Sequence, residues 1–152
     1  MKRNSTYKRS QLPDVKFHPG IPERLMEAVA LLIVIANWAY VVYMRVANGN
    51  EHFTDGCVCA ATATFSFIVV ALCAYAPIKL INFPFSLRPD NIATQYVLSV
   101  RFIRIVNILI CLCTTATTLA VYHDWAMPLV YVAVGILIAA TIAYIVIAYR
   151  HR

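Results

Sequence analysis

The residue in this chain whose type and position most invite chemistry is Arg104. It lies inside an apolar run that covers residues 102–122. An ionisable side chain at membrane depth is costly and is a functional candidate by default. Arg104 sits only a few residues inside the run, so its long side chain is expected to snorkel to lipid headgroups. An anionic ligand or partner is the alternative. Asn37, the strongly polar residue in an earlier apolar run, is expected to act as interhelical glue. His52 and His123 stand near Glu51, Asp55 and Asp124. Imidazole with carboxylate can bind zinc, but no tight ligand motif is present. Glu51-His52 also lacks the second histidine one turn on that a zinc protease helix requires. These are read as solvated loop histidines, with no metal site. Cys57-x-Cys59 and Cys111-x-Cys113 look like repeats, yet residues two apart on a helix point to nearly opposite faces. The sequence has no nucleophile elbow, no phosphate loop and no paired carboxylates inside its apolar runs, where Glu27 is the only acid. It therefore assigns no catalytic residue, no cofactor and no enzymatic activity.

The elements that must position these residues follow from composition. Of 152 residues, 61% are hydrophobic and 13% charged. Soluble domains are roughly half apolar and about a quarter charged, and this excess would leave large apolar patches facing water. Four segments reach the roughly 20 apolar residues that a transmembrane helix needs: 25–46, 57–80, 102–122 and 126–149. Open strands would leave backbone groups unpaired in hydrocarbon, so the spans are helices. The first run is longer than a signal-peptide core of about 7–15 residues and is read as an uncleaved anchor. The five cysteines are an odd count without a small secreted scaffold, which argues against a disulfide framework.

Charge gives the threading. Of the 13 lysines and arginines, all but Arg45 fall on one side if there are four spans. By the positive-inside rule both termini and the middle loop face the cytoplasm. The net charge of +6 is concentrated at the chain ends and in one loop. It has no repeated basic-aromatic pattern, so anionic headgroups and not nucleic acid are its expected partner. The outer connections, about 47–56 and 123–125, are short, and short connections join antiparallel neighbours. The expected architecture is all-α: an integral membrane protein whose four transmembrane helices form an up-down-up-down bundle. Residues 1–24 form a basic, flexible cytoplasmic segment and 25–152 the transmembrane domain. Pro84 and Pro89 break the inner connection, and Pro89-Asp90 suits the start of the third helix.

Two polar stripes run at helical spacing. One is Arg104, Asn107, Cys111, Thr114 and Thr118; the other is Cys59, Thr62, Ser66 and Cys73. Residues at these steps share a helix face. The two faces are expected to pack together and bond across the seam, with Cys59 at the depth of Thr118 and Cys73 at that of Arg104. Lining a cavity is the alternative. Gly135, Ala139 and Ala143 form a small-xxx-small ridge suited to the same close packing.

Asn82-Phe83-Pro84, Asn91, Gln95-Tyr96, Arg101 and Arg104 resemble the series that a bacterial family of small membrane proteins carries between its second and third spans. That family is a domain-of-unknown-function group also found at the N-terminal end of Sdp-type toxin-immunity proteins. His52-Phe53 with Gly56 is similar to the family's loop after its first span. The resemblance covers roughly residues 22–120. It implies a bacterial cytoplasmic (inner) membrane location, no enzyme, and toxin immunity or signalling as one role. It points to His52, Phe53, Asn82, Gln95, Tyr96 and Arg104 as the candidate functional residues. The leading expectation is a non-enzymatic accessory protein that contacts another membrane protein. The alternative is a small transporter working as a homo-oligomer, because four spans leave little room for a pathway within one chain.

Overall fold

A computed structural model describes residues 18–84 and 91–151. These residues are helical, with no strand among them, and four helices are long and apolar enough to cross a membrane. They are α1 (Ile21–Asn48), α2 (Phe53–Cys73), α3 (Ile92–Tyr122) and α4 (Met127–Arg150), with single 3-10 turns at Ile78–Leu80 and Asp124–Ala126. The basic segment 1–24 lies outside the described residues up to position 17, and Ile21–Arg24 form the first turn of α1. Pro89 and Asp90 also fall outside the described residues.

Local chemistry explains the ends. Pro22 sits in the first turn of α1, where its missing N–H costs nothing. Glu23 closes that turn by accepting a hydrogen bond from the Gly20 backbone N–H at 3.0 Å. Gly49 ends the helix at φ +74°, a conformation that glycine adopts without strain. The second apolar run continues to position 80, but α2 stops at Cys73. Pro77 lacks the N–H that would extend it and biases the preceding residue away from helical geometry. The chain closes α2 with tight turns, Tyr75 N–H to Leu72 O and Ala76 N–H to Cys73 O, at 3.1 and 3.2 Å. The following 3-10 turn buries Ile78 against Tyr96 and Val100, and the Tyr96 hydroxyl donates to Ala76 O at 3.2 Å. The connector is thus held against the first turns of α3.

At 31 residues, α3 is about 46 Å long at 1.5 Å per residue. That exceeds the roughly 30 Å of a hydrocarbon core. It is the central element and packs against α1, α2 and α4. Contacts give the register. Along α1 and α3 residue numbers rise together, from Glu23 with Arg101 to Tyr40 with Tyr122. Along α2 and α4 they fall, with Asn107 meeting Phe67, Ser99 meeting Tyr144 and Gln95 meeting Ala148.

The small residues that permit close approach are Ala30 on α1 and Ala60 and Ala63 on α2, all fully buried. The expected ridge on α4 behaves differently. Gly135, Ala139 and Ala143 are exposed, and a Cβ at Gly135 would meet nothing within 4 Å. α4 docks on α3 through another face, with Phe102 and Tyr144 stacked at 4.1 Å. Ring stacking and the Gln95 and Ser99 hydrogen bonds set its rotation, and the ridge is left outside.

Candidate functional site

The polar groups of α1 and α3 meet in two rungs one helical turn apart. In the first, Arg101 Nε donates to Glu23 Oε1 at 2.8 Å, and Glu23 Oε2 holds the Gly20 N–H. In the second, Arg104 Nε donates to Glu27 Oε1 at 2.8 Å while the Tyr75 hydroxyl donates to Glu27 Oε2 at 2.7 Å. The Arg104 guanidinium also lies 5.4 Å from the Tyr75 ring centroid, within reach of a cation–π contact. Glu27 thereby ties α1, α3 and the end of α2 together.

Arg104 does not snorkel. The residue is 2% exposed, and its charge is neutralised inside the bundle. A carboxylate on the neighbouring helix at the same depth is a nearer partner than the headgroups, and a paired charge costs far less at this depth than a lone one. Spacing carried a signal for this. Glu23 and Glu27 are four apart and Arg101 and Arg104 three apart, so each pair lies along one helix face. Glu23, Ser99 and Tyr144 were not singled out from sequence, and here, with Tyr75, they complete the polar joints.

The other expected site residues divide between two ends. Gln95 is buried and donates through Nε2 to Ala148 O at 2.8 Å, joining α3 to α4. Tyr96 is buried under the connector. Asn82 is exposed and edges a groove of about 480 Å³ with Cys73, Ser99, Phe102, Ile103 and Tyr144. His52 and Phe53 lie at the opposite end of α2, some 30 Å away along a helix of 21 residues. His52 takes a left-handed conformation at φ 55°, with its imidazole 3.9 Å from Glu51 and 3.8 Å from Asp55 in the open. The Arg45 guanidinium lies 4.4 Å above the Phe53 ring. The six residues therefore do not converge on one site. Among the described residues no group of three or more His, Cys, Asp or Glu side chains is placed to hold a metal ion.

The polar stripes meet, but their hydroxyls do not bond across the seam. Thr62 donates to Val58 O, Thr114 to Ile110 O and Cys111 O, and Thr118 to Thr114 O, all within their own helices. A hydroxyl in a helix reaches the carbonyl one turn back more easily than a neighbouring helix, so self-bonding wins. Asn107 Nδ2 does cross the seam, donating to Phe67 O at 3.4 Å, while Trp38 Nε1 donates to Thr64 Oγ1 at 2.9 Å between α1 and α2. Cys111 is buried in an apolar cluster with Ala30 and Val34. Cys59, Thr62, Thr114 and Thr117 border a groove of about 190 Å³ between α2 and α3. Ser66 is half-buried and Cys73 exposed. Asn37, expected to glue helices, is fully buried, yet neither of its amide atoms has a partner among the described residues.

No family model, curated protein or solved structure matches this chain. The Glu23–Arg101, Glu27–Arg104–Tyr75 and Gln95–Ala148 joints are its main polar features. They fix helices to one another through groups whose hydrogen-bonding capacity is largely spent inside the bundle.

Proposed function

We propose that this chain is a non-enzymatic accessory protein of the bacterial cytoplasmic membrane. It threads up-down-up-down with both termini and the middle loop in the cytoplasm, and it acts through contacts with another membrane protein in toxin immunity or signalling. The observation that carries this reading is the Glu27–Arg104–Tyr75 joint. It spends the arginine of the third apolar run and the one acid of the four runs on holding three helices together. A protein braced in this way presents its loops and outer faces as its means of action. The threading is supported by the distribution of lysine and arginine, and the role by the resemblance of Asn82-Phe83-Pro84, Gln95-Tyr96 and Arg104 to the immunity-related family.

Two experiments test it. Reporter tags at each terminus should both register in the cytoplasm, and tags on opposite faces would overturn the threading. Deleting the gene should sensitise cells to a membrane-active peptide or displace a regulator that copurifies in mild detergent. Unchanged behaviour across a broad panel of both would overturn the role. The second reading is a small transporter working as an oligomer, favoured by the groove that Cys59, Thr62, Thr114 and Thr117 border. Reconstituted flux, with water-soluble reagents labelling a cysteine placed at Thr114, would establish it over the first.

A further inference from the structure

The first turns of α3 and the end of α4 enclose a groove of about 360 Å³ lined by Ala93, Thr94, Val97, Leu98, Arg101 and His151. We propose that this groove is a binding site for one anionic phospholipid. Its phosphate is held by Arg101, Thr94 and His151, its glycerol backbone rests against Val97 and Leu98, and its acyl chains run on into the hydrocarbon beside the apolar run that begins at Phe102. The proposal rests on the chain spanning a membrane and goes beyond the accessory role.

The charge of the groove follows from the first rung. Glu23 and Arg101 form a pair that is neutral as a whole, but its two ends are unequally placed. The Glu23 side chain is 3% exposed and that of Arg101 51% exposed, so the groove meets the cation. The bond to Glu23 uses Nε. Arginine carries a planar fork of further N–H donors suited to two phosphate oxygens at once. Glu23 thus orients the guanidinium without occupying its outer edge. At this end of the bundle the other described acid, Glu27, is committed to Arg104 and Tyr75. Among the described residues no carboxylate lines the groove to repel an anion.

Spacing builds the rest. Thr94 and Arg101 are seven apart, two turns of one helix, and so share a face. The Gln95–Ala148 hydrogen bond of 2.8 Å clamps the last turn of α4 beside the first turns of α3, which brings His151 to that face. Three of the six lining residues are apolar, and the apolar run of α3 begins just beyond them at Phe102. A phosphate held here has hydrocarbon directly next to it. That geometry suits a lipid headgroup with its chain and does not favour a free anion.

The test uses the full chain in mild detergent. Native mass spectrometry is run in equal mixtures of phosphatidylglycerol and phosphatidylcholine. The wild type should retain one phosphatidylglycerol about tenfold over phosphatidylcholine. The double variant Thr94→Val/His151→Ala leaves the Glu23–Arg101 pair intact, and should lower that preference to about twofold or less. Glu23→Gln/Arg101→Gln, which removes the pair without leaving a lone charge, should abolish it. Arg45→Ala, at the other end of α1, should leave it unchanged. Equal retention of both lipids by the wild type would overturn the proposal. So would unchanged preference in both folded double variants, loss in Arg45→Ala, or displacement of the lipid by inorganic phosphate. A chain recovered without detergent in the soluble fraction would instead overturn the membrane reading beneath it.

Discussion

Arg104 Nε lies 2.8 Å from Glu27 Oε1 across the α1–α3 seam, with the arginine side chain 1% and the glutamate side chain 22% exposed. These residues are 77 apart in sequence. Removing either partner leaves the other charge in the seam without its counter-ion. Glu27→Ala or Arg104→Ala should cost about 3–5 kcal/mol, whereas the apolar double variant Glu27→Leu/Arg104→Met should fall within about 2 kcal/mol of the wild type. A double-mutant cycle of reversible unfolding in detergent measures this. Additive losses would mean that the pair is not formed.

Gly56 of α2 faces Tyr122 of α3. A Cβ there would press against the Tyr122 hydroxyl, and would sit 2.9 Å from Cζ and 3.0 Å from Cε2. Gly56→Ala should therefore destabilise by about 1–3 kcal/mol through overpacking. Adding Tyr122→Ala should cost less than the sum of the two single changes, as read from melting temperatures of the four proteins. Full additivity would separate the two sites.

The Asn37 amide is fully buried with neither atom partnered among the described residues. An unpaired buried amide costs about 1–3 kcal/mol. Asn37→Ala should therefore be neutral or stabilising by unfolding in detergent. A loss above about 2 kcal/mol would reveal a partner for the amide.

Gly135 lies on the outer face of α4, with open space where a Cβ would stand. Gly135→Ala should raise stability by about 0.5–1 kcal/mol through helix propensity alone. Gly135→Leu should be tolerated with no change in oligomeric state by light scattering. A large loss in either would mean that another helix seats on the Gly135–Ala139 ridge.

Much of the architecture is legible in residue order because bilayer thickness converts apolar length into helices. Four runs of sufficient length yielded four helices, and Pro22 and Gly49 mark the limits of α1. The end of α2 was also encoded, at Pro77, but hydropathy conceals it because the apolar run continues past the break. The candidate site was less legible. Its residues could be named by type, yet their partners depend on how far each helix is rotated about its axis, and many rotations satisfy the same periodicity.

From sequence alone came the helical class, the number of apolar runs, and the excess of positive charge at one set of ends. Each depends on properties that add along the chain. Tertiary structure decided that Arg104 meets Glu27 and not the headgroups, that the threonines bond within their own helices, and that the Gly135 ridge faces outward. These outcomes turn on which faces meet at a given depth, and that is a property of packed helices taken together.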